Sequence, residues 1–166
     1  MGQHSMSIEV TGIDHIYVAV TDLDRSIAFY DPLMKLLGFR KGTKPVGGEP
    51  HAHYFNPVMG YSLRPTKGPR TRHDPYSPGL HHLCFRVQTR EHVDTAAREI
   101  RSLGIEVTEP RVYSEYEPDY YAIFFSDPDG IRLEVVAMRR LRELIRDHWA
   151  TLTEFENPLT KAGHMR

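Results

Sequence analysis

A chain of 166 residues is close to the size of one domain and long enough to bury a hydrophobic core without disulfide staples. Its 21 basic and 22 acidic side chains nearly cancel, and 40% apolar with 26% charged residues is ordinary for a globular protein, so neither nucleic acid nor a membrane surface is the expected partner. No apolar run is long enough to span a bilayer, no signal-peptide pattern appears, and the single cysteine, Cys84, excludes an internal disulfide, which together make a cytoplasmic location the expectation.

Residues 1–10 read as a flexible N-terminus, and His4 within it carries no functional weight. Gly12 to Val20, GIDHIYVAV, alternates as a strand does: Ile16, Val18 and Val20 on one face, His15, Tyr17 and Ala19 on the other. Thr21 with Asp24 three residues on resembles a capping box, and Ile27, Phe29, Tyr30, Leu33, Leu36 and Leu37 supply the apolar side of a helix ending at Gly38, with Pro32 expected to kink or split it. Three β-type runs follow, Phe39 to Val46, His51 to Phe55 and Tyr61 to Pro65. Thr66 to Pro78, rich in proline and carrying Lys67, Arg70, Arg72 and His73, is the natural linker.

The pattern then repeats. Gly79 to Val87, GLHHLCFRV, again places a glycine, an apolar residue, a polar residue and a histidine before alternating positions. Thr89 opens a second helix whose Val93, Ala96, Ala97, Ile100 and Leu103 share a face and which Gly104 should terminate. Ile105 to Tyr113, Tyr120 to Ser126 and Ile131 to Ala137 are the next β-type runs, so the chain reads βαβββ twice, in modules of about 11–65 and 79–137 within one domain of 11–137. Residues 138–166 are a C-terminal helix and tail; Arg139 to Phe155, with Leu141, Leu144, Ile145, Trp149, Leu152 and Phe155 near one face, is expected to pack on the sheet or on a second subunit of a homodimer.

Alternation sorts the candidate site residues. With Leu83, Phe85 and Val87 facing a helix, His82, Cys84 and Arg86 face the other way and His81 turns with the apolar set. With Ile131, Leu133 and Val135 facing the helix, Arg132, Glu134 and Val136 are opposite. A lone strand histidine is more often hydrogen-bonded or surface-exposed than a metal ligand. Here three independent alternation patterns inside a repeat bring forward His15, His82 and Glu134: two imidazoles and a carboxylate, the facial triad that holds one divalent ion (Fe, Mn, Zn or Ni) and leaves positions open for substrate.

These residues resemble the vicinal oxygen chelate superfamily of glyoxalases, bleomycin-resistance proteins and extradiol dioxygenases. The similarity rests on DHIYVAVTDLDRSIAFY, GLHHLCFRV and FFSDPDGIRLEVV, and covers about Gly12 to Val136. It implies an α+β fold of two tandem βαβββ modules whose curved mixed sheets surround a shared metal cleft, with ligands His15, His82 and Glu134. The position that supplies a glutamate or glutamine in some relatives falls at Ser62, a poor ligand whose place a water or substrate oxygen should take. The implied function is a metal-dependent enzyme of lyase, dioxygenase or transferase type acting on a small oxygen-bearing metabolite; the alternative is a non-catalytic drug- or metabolite-binding protein of the bleomycin-resistance type.

Arg86 and Arg132 are candidates to neutralise a substrate anion, against the plainer role of sheet-face ion pairs. Tyr17, two residues beyond His15 on the same face, is placed to meet a bound ligand. Tyr116, Tyr120 and Tyr121 are candidate aromatic walls or proton donors. His51 and His53 share a strand face and are expected at the surface more readily than in a pocket, and Cys84 is expected to be a small buried thiol.

Overall fold

The computed structural model describes residues 10–151, which divide into two compact units between Arg70 and Thr71. The boundary falls inside the loop read as a linker. No helix among the described residues is long and apolar enough to cross a membrane.

In the first unit the order is β1 (His15–Val20), α1 (Leu23–Leu36), β2 (Arg40–Gly42), β3 (Ala52–Phe55) and β4 (Gly60–Pro65). The sheet runs β1-β4-β3-β2, with β1 parallel to β4 and the remaining pairs antiparallel. Val18, Val20, Ala52, Tyr54, Tyr61 and Leu63 are buried on the helix side, and α1 contributes Tyr30, Leu33 and Met34. Each such aliphatic side chain contributes about 1.5–3 kcal/mol relative to exposure. Two hydrogen bonds tie the layers together: Tyr61 Oη donates to Tyr30 Oη at 3.0 Å, and Tyr54 Oη to Asp31 Oδ1 at 2.8 Å.

The N-cap of α1 is Asp22, one residue later than the capping-box pattern suggested. Its carboxylate accepts from Arg25 N at 3.0 Å, whereas Thr21 Oγ1 accepts from the Arg25 guanidinium at 2.8 Å. Asp22→Ala should therefore cost about 1 kcal/mol in urea unfolding, and Thr21→Ala less, because only the aspartate satisfies a helix-terminal N–H. Pro32 lies inside α1 without splitting it; a missing N–H forfeits one helical bond, and the buried Leu33 and Met34 that follow hold the turn in place. The run expected to reach Val46 ends at Gly42.

The second unit repeats the plan with β5 (Leu83–Arg86), α2 (Arg90–Ser102), β6 (Arg111–Val112), β7 (Tyr121–Ser126) and β8 (Arg132–Ala137), in sheet order β5-β8-β7-β6. β5 is parallel to β8. α2 starts at its Thr89 cap, packs Val93, Ala96, Ala97 and Ile100 toward β7 and β8, and stops before Gly104, whose φ of +76° suits the left-handed turn that closes a helix. The expected long strand from Ile105 shrinks to β6 and one bridge, Val107 to Phe125, because Pro110 has no N–H to give the ladder.

The β7–β8 turn is Asp127-Pro128-Asp129-Gly130. Asp127 Oδ1 accepts from Asp129 N at 2.9 Å and Ile131 N at 2.8 Å, and Gly130 has a φ of +90°. This sets the register that pairs Phe124 with Glu134. After β8, α3 (Arg139–His148) continues into a 3₁₀ turn, Trp149–Thr151. None of its residues is buried, Leu141, Leu144 and Ile145 are partly covered, and Trp149 is 66% exposed. Leu152 and Phe155 lie outside the described residues.

Candidate metal centre and its cleft

The topology places the first and last strands of each unit side by side. In the second unit the β5–β8 register sets Cys84 opposite Glu134, and His82, just before β5, reaches back so that its Nε2 lies 3.4 Å from Glu134 Oε2. Glu134 is 1% exposed. Its Oε1 accepts from Tyr120 Oη at 2.5 Å, but its Oε2 has no hydrogen-bond partner.

Such an atom is unusual, since a buried polar group without a partner costs about 1–3 kcal/mol and more when charged. A divalent cation between Oε2 and the His82 imidazole would satisfy it. The pairing of a carboxylate and an imidazole suits first-row divalent metals, so the residues present fit the ion that the superfamily resemblance implies.

His82 Nδ1 lies 2.8 Å from His81 Nδ1, and the Arg132 guanidinium lies 3.5 Å from His81 Nε2. A histidine that binds an ion through Nε2 donates its Nδ1–H, so with His82 as a ligand the 2.8 Å contact is a donation from His82 Nδ1 to His81 Nδ1. The expectation that His81 turns away is corrected: it lines the same cleft as His82. β5 begins only at Leu83, so strand alternation does not govern residue 81.

The cleft has a volume of about 870 Å³ and is lined by second-unit residues alone. His81, His82, Arg132 and Glu134 form its polar side, and Tyr113, Tyr116, Tyr120 and Phe124 an aromatic wall. Arg86 is not among the lining residues; it shares the parity of Glu134 but pairs with Val136, one step past the Cys84–Glu134 rung, and is exposed. The wall rests on a second small core of Tyr113, Ala122 and Val136, with Tyr120, Phe124 and Met138 packed against it.

Burial pushes the Cys84 thiol up, and the adjacent Glu134 carboxylate adds to the effect, so at neutral pH it is a thiol rather than a nucleophilic thiolate. Taken whole, Cys84 is exposed and not buried as expected, so the shift belongs to the surroundings of its sulfur, beside Glu134 and Tyr120. Burial also raises the Tyr120 phenol, and its hydrogen bond to Glu134 acts the same way, keeping the proton available to Oε1.

The first unit carries His15, Tyr17, His51, His53 and Ser62. His15 Nδ1 lies 2.7 Å from Asp14 Oδ2, which leaves Nε2 as its ligand-capable nitrogen. The Tyr17 ring stands edge-on to His15 at 5.4 Å and to His51 and His53 at 6.0 and 6.1 Å. His51 and His53 are buried, stacked 5.6 Å apart at 4°, not at the surface as expected. His53 Nε2 faces the Lys44 carbonyl at 3.0 Å and must donate to it, so His53 Nδ1 accepts from Ser62 Oγ at 2.8 Å. Ser62 is thereby committed to His53. Among the described residues no group of three or more His, Cys, Asp or Glu side chains stands placed to hold a metal ion.

Tyr120, a candidate wall or proton donor from the sequence, donates to Glu134, a pairing the sequence did not name, and Arg72 in the cleft lining was not singled out. A signal existed for the first: Tyr120, Ala122 and Phe124 share one parity, and Phe124 is the register partner of Glu134. Arg72 lies in the linker, where no periodicity speaks.

Comparisons with known proteins agree with this architecture. The Bacillus licheniformis metallothiol transferase FosB is 27% identical over 127 residues, 76% of this chain and 75% of that protein. A glyoxylase/bleomycin resistance protein/dioxygenase domain from Frankia superposes with a TM-score of 0.66 at 25% identity, covering 79% of this chain and all of that one. The fosfomycin resistance protein FosX of Listeria monocytogenes has the same fold, with a TM-score of 0.61 at 21% identity over 82% of this chain and 98% of that one. Residues 12–135 match the glyoxalase/bleomycin resistance protein/dioxygenase superfamily, and the chain belongs to it.

Proposed function

We propose that the protein is a divalent-metal-dependent enzyme acting on an oxygen-bearing small molecule chelated to the ion, with His82 and Glu134 as ligands and His15 as the third. The observation that carries this reading is the buried, unpartnered Oε2 of Glu134 facing His82 Nε2. The bound ion would polarise a coordinated substrate oxygen. Around it, Tyr120 holds Oε1 so that Oε2 is presented to the ion, and Arg132 offers a guanidinium to a substrate anion. Tyr17 stands beside His15 to meet the substrate. Ser62 donates its hydroxyl hydrogen to His53 and is a poor ligand, so a water or substrate oxygen would complete the set.

Relatives support the reading: FosB is a metallothiol transferase, and a FosX variant was crystallised with Mn(II) and 1S,2S-dihydroxypropylphosphonic acid. Lyase, oxygenase and transferase outcomes share this chelation step. The test is metal content. Purified protein loaded with Mn(II), Zn(II), Ni(II) or Fe(II) and desalted should retain about one ion per chain by elemental analysis, and His82→Ala should retain almost none. Full retention in that variant would reject the ligand set, and a parent protein that holds no ion would favour the metal-free, sequestering alternative.

A homodimer is part of the same proposal, motivated by α3, whose Leu141, Leu144 and Ile145 are only partly covered and whose Trp149 stands exposed. Light scattering should give twice the chain mass, and a chain ending near Arg139 should give monomers; a monomeric full chain would refute the assembly.

A further inference from the structure

Chelation to an ion requires of a substrate only that it be small and oxygen-bearing. The cleft itself says more. We propose that its substrate is an oxyanion carried on a planar aromatic or conjugated body, larger than a three-carbon metabolite, with the body on the Tyr116 wall and the anion toward Arg132. This rests on the cleft being the substrate site.

Size comes first. A volume of about 870 Å³ lies toward the upper end of the range of roughly 300–1,000 Å³ for sites that enclose drug-sized ligands. A three-carbon compound would leave most of it to water.

The second observation is the wall. Tyr113 is buried, with the Arg111 guanidinium 3.8 Å from its ring centroid on one side and Phe124 edge-on at 5.0 Å. Tyr116 lies nearly parallel to Tyr113, at 6.0 Å and 12°, and Tyr120 meets Tyr116 edge-on at 5.3 Å. Each ring is positioned by the next, so the wall is formed before any ligand arrives, and little order is lost on binding. Its outermost member, Tyr116, is nevertheless 59% exposed. An exposed ring held in a lined cleft offers a π face that another planar group can cover.

The third is charge. Among the described residues, neither Arg132 nor Arg72 is paired with a carboxylate, although Arg64, Arg101 and Arg139 are. Arg132 is held instead by Tyr76, whose Oη lies 3.3 Å from it and whose ring centroid lies 5.3 Å from it. Of the acids at the cleft, Asp127 accepts the backbone N–H groups of its own turn, Glu134 faces His82, and Glu106 is exposed. The two guanidinia are therefore the fixed charges left unanswered, and they suit a carboxylate, phosphonate or phosphate.

Calorimetry with two probes sharing one headgroup, phenylphosphonate and propylphosphonate, tests the proposal on the full chain, Mn(II)-loaded and chelator-treated. Phenylphosphonate should bind about threefold to tenfold more tightly, the range expected for one aromatic contact. Tyr116→Ala should erase the ratio and Tyr116→Phe keep it. Arg132→Gln should weaken both probes together, with Arg132→Lys intermediate. Equal affinities, absence of binding, or a ratio unchanged in Tyr116→Ala would overturn the proposal. Metal content measured on the same samples separates the two readings. An aromatic preference in protein that never holds metal would sink the metal ligand set alone, and metal uptake without that preference would sink the substrate class alone.

Discussion

Glu134→Gln is expected to abolish metal uptake while leaving the metal-free protein as stable as the parent or more so. The two effects have one cause. In the metal-free chain a carboxylate that is 1% exposed accepts from Tyr120 on Oε1, whereas Oε2 has no hydrogen bond and faces the His82 imidazole at 3.4 Å. Glutamine keeps the shape and the carbonyl that accepts from Tyr120, and it replaces the orphaned oxygen by an uncharged amide nitrogen that faces His82 Nε2, an acceptor when that nitrogen is unprotonated. Relief of one unsatisfied buried group is worth about 1–3 kcal/mol. Loaded parent protein gains in the other direction: an ion present at about one hundred times its dissociation constant adds about 2.7 kcal/mol. Thermal unfolding with Mn(II) and with chelator should therefore show a large metal-dependent rise for the parent and none for Glu134→Gln. An equal rise in the variant, or a metal-free variant markedly less stable than the parent, would mean that Glu134 is a structural acid and not a ligand.

Much of this arrangement was legible because the strands obey a period of two and the chain repeats itself. The recurrence of GIDHIYVAV as GLHHLCFRV marked two βαβββ units, and alternation along Arg132–Ala137 put Glu134 opposite the helix-packed Leu133 and Val135. The parallel partnership of β5 and β8 then brought the two segments together. Alternation fails where a residue is not in a strand. His81 lies two residues ahead of β5, so its direction follows its contacts with His82 and Arg132 and not the pleat. It is also silent on distance along a strand, which is why Arg86, of the right parity, lies outside the cleft lining. Burial of His51 and His53 was illegible for a different reason. Their polar rings become acceptable inside only because Glu49 O, Lys44 O and Ser62 Oγ are in place to bond them, and those partners come from the loop before β3 and from the β3–β4 register.

Stability of the first unit should fall as pH rises above about 10, the ordinary tyrosine value, through Tyr54. This side chain is 1% exposed; burial pushes its phenol well above the ordinary range, and the hydrogen bond to Asp31 and the negative charge of Asp31 act in the same direction. The sign follows from proton counting. Because the folded value is the higher one, the folded state keeps its proton where the unfolded chain has lost it. The contribution is fully present below the unfolded value and is lost progressively as pH climbs toward the folded value. For one group the slope cannot exceed about 1.4 kcal/mol per pH unit. Ionised, Tyr54 would also place a phenolate against the Asp31 carboxylate, which Lys41 at 2.8 Å only partly offsets. Tyr54→Phe removes the titration but keeps the buried ring, so it should cost about 1 kcal/mol at neutral pH and narrow that gap steadily above about pH 10. Urea unfolding of both proteins at about pH 8, 10 and 11 reads the difference directly, with other titrating groups common to the pair. Parallel loss of stability in the two proteins across that range would show that Tyr54 does not couple the fold to alkaline pH.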